Sequence, residues 1–384
     1  MNNIQSTTHK LYFADSRKLD FIQDNSVDLV MTSPPYPMIE MWDEMFFNQN
    51  QEIKTQFQNN NGNEMFDLMH NELNKVWKEL NRVVKTGGFI IINIGDATRT
   101  INNHFQLYSN HSRITEDFIN LDFDVLPLIL WKKTANTPNK FMGSGMLPSG
   151  AYITLEHEYI LVFRKGKRNF KTEQERQNRR ESAYFWEERN TWFSDIWELK
   201  GVKQDLKNNK TRARSASYCI DLPYRIINMF SCKGDTILDP FLGTGTTMLA
   251  SAVAERNSIG VELDGAFNEI IKNRFNNLPI QGNKIIDERL QKHQEFIEKY
   301  TKEKQKPKYH NNNLDVDVIT NQETQIILNY INNIRFNTNS IEVDYKKHDL
   351  KNNLYFPLLN DIELGDMREF VKQQEYFVKL RNNL

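Results

Sequence analysis

Two short stretches of this chain carry residues whose types and spacing suit chemistry. The first, Asp239-Pro240-Phe241-Leu242-Gly243-Thr244-Gly245-Thr246-Thr247, leaves an apolar strand through a glycine-bearing turn and opens a helix. Glycines let the backbone approach a ligand closely, and a helix N-terminus offers free N–H groups to an anion. About twenty residues on, the next strand ends in Glu262-Leu263-Asp264, where a carboxylate can accept hydrogen bonds from ribose hydroxyls. No lysine follows Gly245, so the phosphate-gripping Gly-Lys-Ser/Thr ending is missing, and Met248 stands where a dinucleotide fingerprint needs its third glycine. The turn and the acidic strand end together favour a nucleoside cofactor without a pyrophosphate. The second stretch is Thr32-Ser33-Pro34-Pro35-Tyr36. A proline-stiffened surface turn is the plain reading. Its place at the end of an apolar run, where open α/β sheets bind ligands, favours a site. A hydroxyl and an aromatic ring on a rigid loop can hold a planar, amine-bearing ring by hydrogen bonding and stacking.

These loops need strands to end them and helices to cover those strands. Apolar runs at residues 11–14, 27–31, 89–94, 125–131, 159–163, 236–238 and 258–263 read as strands. Apolar residues at helical spacing over 64–84, and helical patterns near 115–121, 220–230, 246–255 and 266–275, supply the layers between them. Alternation of this kind gives a layered α/β fold with a largely parallel sheet. Residues 50–63, rich in Asn and Gln, read as an exposed insertion, and 134–150 as a long loop. Past residue 280 the pattern turns to a polar helix, a lysine-rich linker and an Asn run, so a domain boundary is placed there.

With both loops in view, the chain resembles the S-adenosylmethionine-dependent DNA amino-methyltransferases, which modify exocyclic amines of bases. Ser33-Pro34-Pro35-Tyr36 matches their (Asp/Asn/Ser)-Pro-Pro-(Tyr/Phe/Trp) motif, and Phe241-x-Gly243-x-Gly245 matches their cofactor motif. The catalytic motif comes first, as in the β-type permutation. Asp15-Ser16, Gly87-Gly88, Trp131-Lys132-Lys133, His157-Glu158-Tyr159 and Asp195-Ile196-Trp197 also look like family segments. Arg214-Ser215-Ala216-Ser217 replaces the family's His-Pro-Ala-type segment. The resemblance spans residues 10–280 and implies a Rossmann-like methyltransferase fold with a mostly parallel seven-stranded sheet. It implies a catalytic domain over 1–280, within which the basic insertion 164–214 is the first candidate for target recognition. Residues 281–384 match no family segment and are read as a C-terminal addition, a candidate additional DNA-recognition domain. S-adenosyl-L-methionine would be the cofactor, with Asp15 on its adenine, Glu262 on its ribose and the Phe241–Gly245 turn on its methionine part. Asp239 and Thr246 flank that turn. Serine at the first motif position resembles the cytosine-N4 enzymes; adenine-N6 is the alternative within the class. The Ser33 hydroxyl and Pro34 carbonyl would draw the amine nitrogen toward sp³ character, while Tyr36 would stack on a base flipped from duplex DNA. A cognate restriction endonuclease would be the functional counterpart. An RNA or protein methyltransferase and a catalytically silent DNA-binding subunit are the rivals.

The composition fits these expectations once it is divided. The 384 residues are 39% hydrophobic and carry a net charge of −1. Residues 164–214 hold fifteen Lys/Arg against eight acids, so this stretch is +7 and the remainder −8. Clustered cations suit a nucleic acid backbone, although a solvated charged face has the same composition. Tyr184, Phe185, Trp186, Trp192, Phe193 and Trp197 lie among these charges and suit bases or a core. The two cysteines, Cys219 and Cys232, read as core residues, which argues against cytosine-C5 chemistry and its thiolate nucleophile. No histidine spacing suggests a metal site, and the methionines at 31, 38, 41 and 45 and Trp42 read as packing. Asp344-Tyr345-Lys346 resembles half of a nuclease site, a match common by chance. With no secretion signal and no apolar run long enough to span a bilayer, a cytoplasmic protein is expected.

Overall fold

Residues 6–134, 142–200 and 219–348 are described in a computed structural model. Ten strands join in one sheet: β1 (Ser6–Phe13), β2 (Val27–Thr32), β3 (Val84–Ile94), β4 (Asp124–Thr134), β5 (His157–Arg164), β6 (Ile196–Lys200), β7 (Thr236–Asp239), β8 (Asn257–Glu262), β9 (Asn329–Phe336) and β10 (Ser340–Lys347). Their spatial order is β6-β4-β5-β3-β2-β7-β8-β1-β10-β9. The seven from β4 to β1 make the expected Rossmann-like sheet. Its centre, β3-β2-β7-β8-β1, is parallel, and β5 runs antiparallel between β3 and β4. β2 is buried along its whole length because Val27, Leu29, Val30 and Met31 are covered on both faces.

Helices α1 (Asp43–Gln49), α2 (Gln51–Gln58), α3 (Gly62–Val83) and α4 (Asn110–Asn120) are followed by α5 (Glu173–Glu181), α6 (Trp186–Trp192) and α7 (Asp221–Phe230). Then come α8 (Thr246–Val253), α9 (Phe267–Asn276) and α10 (Leu278–Glu303). The stripe Met65, Met69, Leu73, Val76, Trp77 and Leu80 of α3 is buried in the core against the sheet. Residues 50–63 are not a loop throughout. Asn50 caps α2 by accepting from the Glu52 N–H, and Ile53 is buried in the core. The Asn/Gln composition masked that short amphipathic turn.

The expected boundary near residue 280 is absent: residues up to Lys347 belong to one compact unit. The β9–β10 hairpin extends the sheet through antiparallel pairing of β10 with β1. Asn283 on α10 holds it by a reciprocal pair of bonds to the Ile331 backbone, at 2.8 and 3.1 Å. The nuclease-like Asp344-Tyr345-Lys346 is part of this hairpin. Asp344 pairs with Arg335, and the buried Tyr345 hydroxyl donates to the Ala252 carbonyl, so both are structural. The basic stretch packs through its aromatics and presents its cations, with Lys167, Lys171, Arg176, Arg179, Arg180 and Arg189 exposed. Arg164, Arg168, Arg176 and Arg180 form ion pairs, while Phe185, Trp192 and Trp197 are buried. Five of its cations, at 203, 207, 210, 212 and 214, lie outside the described residues, as does the segment at 214–217.

Candidate active site

The two loops meet because β2 and β7 are neighbours and both end at the same edge. Asp239 joins them. Its fully buried carboxylate accepts from the Thr32 hydroxyl at 2.7 Å, the Thr247 hydroxyl at 2.6 Å and the Phe241 N–H at 3.1 Å. Burial pushes its pKa up to about 6 despite those donors. Above them opens a cavity of about 830 Å³. Ser33, Pro34, Pro35, Tyr36, Asp15, Phe241, Gly243, Thr246 and Glu262 all line it; Asp239 and Gly245 stand behind the wall. Gly245 has φ +85° at the N-cap of α8, where an added Cβ would lie 3.2 Å from Ile271, so its role is in the turn.

On the glycine side, the Glu262 carboxylate accepts the Gly243 N–H at 2.7 Å and the Asp264 N–H at 3.0 Å. These bonds fix a carboxylate beside the turn, although burial still raises its pKa. The Asp15 carboxylate is gripped by the backbone and guanidinium of Arg17 at 2.6–3.1 Å. Burial works against its ionisation, but Arg17 outweighs that and holds its pKa below the usual range. Ser16 donates to the Pro240 carbonyl at 2.5 Å, binding the end of β1 to the turn. The Thr246 hydroxyl accepts from Arg274 at 2.9 Å, and Arg274 also holds Thr244, so a residue of α9 shapes the start of α8.

On the proline side, Pro34 and Pro35 are buried, while Ser33 and Tyr36 are half-buried. The Tyr36 hydroxyl donates to Glu158 at 3.0 Å and accepts from Asn93 at 2.9 Å. Ser33 lies 3.1 Å from the same hydroxyl. With the tyrosine hydrogen committed to Glu158, Ser33 is the donor there, and its lone pairs are left to accept from an amine. Asn110 on α4 fastens the loop from behind. It is fully buried and donates to the Pro37 and Gly95 carbonyls at 3.1 and 2.9 Å.

Residues 27–273 match the family model described as DNA methylase, of the N6/N4 type. The chain belongs to that DNA methylase family. It is 52% identical over 327 residues to the type II methyltransferase M.MthZI of Methanothermobacter thermautotrophicus, covering 84% of this chain and 91% of the relative. It is 51% identical over 282 residues to the type II methyltransferase M.MjaI of Methanocaldococcus jannaschii, covering 70% and 92%. Among solved structures, a Thermus thermophilus protein described as a candidate DNA modification methylase, complexed with S-adenosyl-L-methionine, superposes with TM-score 0.55. That protein is 30% identical, with 70% of this chain and 94% of its own covered.

The cavity of this DNA methylase also takes residues that the sequence left as packing. Met41, Met45 and Trp42 line it, whereas Met31 and Met38 are buried in the core. Asn48, Gln49 and Phe267 line it too, on α1 and α9, and no motif marked them. Glu158 stood out only as part of a family-like segment, with no role given to it, and Asn93 and Asn110 not at all. Burial pushes the Cys232 thiol up to about 11, in keeping with a packing role. Among the described residues no group of His, Cys, Asp and Glu could hold a metal, and no helix is long and apolar enough to cross a membrane.

Proposed function

We propose that this methylase is a type II enzyme that transfers a methyl group from S-adenosyl-L-methionine to the exocyclic N4 of cytosine in duplex DNA, as the modification partner of a restriction endonuclease. The observation that carries this reading is one cavity holding both loops: Glu262 and the Gly243 turn on one side, Ser33 and Tyr36 on the other. The donor set suits the cofactor. A fixed carboxylate for ribose hydroxyls, a glycine turn without side chains and a helix start fit a nucleoside with a short charged tail better than a dinucleotide. When bound, S-adenosyl-L-methionine supplies an electrophilic methyl group on a sulfonium centre. The chain supplies alignment. An exocyclic amine is a poor nucleophile because its lone pair is delocalised into the ring. Ser33 Oγ and the Pro34 carbonyl accept its hydrogens and pull the lone pair out of that delocalisation, at a position the buried proline pair fixes. Tyr36, tethered at its hydroxyl, offers a ring face for stacking.

Serine rather than aspartate at the first position favours cytosine. The test is to incubate the protein with duplex DNA and labelled S-adenosyl-L-methionine, then digest to nucleosides. N4-methylcytosine is expected. N6-methyladenine alone would overturn the base assignment, and label only in RNA or protein would overturn the DNA substrate. Methylome sequencing of cells expressing the protein then gives the recognition sequence.

A further inference from the structure

We propose that Glu158 is the terminal acceptor of the proton shed by the methylated amine, reached through Ser33 and Tyr36. This rests on the reading of Ser33 as acceptor for the target amine. The three groups form a directed chain: Ser33 Oγ to Tyr36 Oη at 3.1 Å, and Tyr36 Oη to Glu158 Oε2 at 3.0 Å. Tyr36 has a single hydrogen, and it points to Glu158. The Asn93 amide donates to both Tyr36 Oη and Glu158 Oε2, at 2.9 and 2.7 Å, so it aligns the last link. Lys133 pairs with the other oxygen of Glu158, leaving Oε2 to face Tyr36. Glu158 remains partly exposed, at 13% of its side chain, so a proton delivered there has a way out to water.

The proton accounting closes without a further reagent. As the amine lone pair forms the N–CH₃ bond, the S–CH₃ bond breaks and its electron pair stays on sulfur. The nitrogen is left cationic, with one proton too many. That proton moves to Ser33 Oγ, the serine proton to Tyr36 Oη, and the tyrosine proton to Glu158 Oε2. Ser33 and Tyr36 end neutral, and Glu158 ends as a carboxylic acid. The chain acts while the methyl arrives, because an N–H bond already drawn toward Ser33 frees the lone pair.

Glu158→Gln keeps the shape and one acceptor oxygen but cannot take the proton. Tyr36→Phe keeps the ring and cuts the chain. Each is expected to slow single-turnover methylation by about 10²-fold. Because both interrupt one chain, the double variant should be no slower than the slower single. Affinities for the duplex and for S-adenosylhomocysteine, and the melting temperature, should match wild type for Glu158→Gln. The curved dependence of the wild-type rate on D₂O fraction should flatten in the same variant. A wild-type rate in Glu158→Gln, additive losses in the double variant, or a parallel loss of duplex affinity would overturn the relay. A wild-type protein that methylates no duplex DNA would instead defeat the underlying functional reading.

Discussion

In the proposed mechanism Ser33 is the residue on which the chemistry turns, since its oxygen would receive an amine hydrogen while its own hydrogen is engaged at 3.1 Å by Tyr36. Ser33→Ala removes that acceptor and leaves the proline pair in place. We expect single-turnover transfer to fall by about 10²-fold with duplex affinity within a few-fold of wild type. An unchanged rate would remove serine from the mechanism. Glu262 makes a separable prediction. Its carboxylate is held by two backbone N–H groups at the mouth of the turn, so Glu262→Ala should weaken cofactor binding about 10- to 100-fold, the range for a lost hydrogen bond to a charged group. Equilibrium dialysis measures it, and an unchanged affinity would place the ribose elsewhere. Both residues were legible in the sequence as candidates, and the structure brings both to one cavity, because each sits in a short motif at a strand end, where type and position act together. Glu158 was not legible as an actor, because its link to Tyr36 spans 122 residues and exists only once β5 lies beside β3.

At the scale of elements, α4 secures the proline loop through one side chain. Asn110 takes a hydrogen from His70 on α3 at 2.9 Å and gives its own to Pro37 and Gly95, so two helices, the loop and the end of β3 share one node. Burial lowers the His70 pKa to about 4, which keeps its ring neutral with the hydrogen on Nε2, where Asn110 accepts it. Asn110→Ala should cost about 1–3 kcal/mol of stability by leaving buried carbonyls unpaired. It should also slow transfer while sparing cofactor affinity, because the bonds of this node run to His70, Pro37 and Gly95 on the proline side. Chemical denaturation and cofactor titration of the same variant check both halves. A loss of cofactor affinity matching the loss of rate would sink the idea of a loop-specific brace. The strands that carry the site were readable because they are buried on both faces and so appear as unbroken apolar runs. The β9–β10 hairpin was not, because it lies at the sheet edge, where Asn329, Asn332 and Asn333 stand among the apolar residues and no run forms. The same reasoning explains the boundary wrongly expected at 280. Polar composition marks an edge as readily as a linker.

Across the whole molecule, the charge division that suggested a nucleic acid partner is only partly offset within the described residues. Ten cations face seven acids between 164 and 200, and Lys167, Lys171, Arg176, Arg179, Arg180 and Arg189 stay exposed. Many of the cations between 164 and 200 are taken up by acids, carbonyls or rings. What joins the distant parts of the fold is instead a buried neutral chain. The Tyr345 hydroxyl of β10 donates to the Ala252 carbonyl of α8, so Thr7 donates to Tyr345, and His9 donates from Nε2 to Thr7. Ser258 then donates to His9 Nδ1 at 2.7 Å. A proton on Nδ1 would face that donor, and burial accordingly lowers the His9 pKa to about 3. An unfolded histidine binds its proton below about pH 6.5 and the folded one does not, so the stability His9 contributes is intact above 6.5 and lost as pH falls toward 3. Several carboxyls, among them Asp28, Asp117, Glu187, Asp239 and Glu262, are pushed upward by burial and act in the opposite sense, so a raw stability profile mixes the two. A variant isolates the histidine. The stability advantage of wild type over His9→Gln, from urea midpoints at successive pH values, should shrink by about 1.4 kcal/mol per pH unit between 6 and 4. Hydrogen exchange should show the β9–β10 hairpin opening first in acid, since the chain that fixes β10 to β1 and α8 runs through His9. A difference that stays constant across that range would mean the ring carries its proton in the fold, and the neutral lock would have to be abandoned.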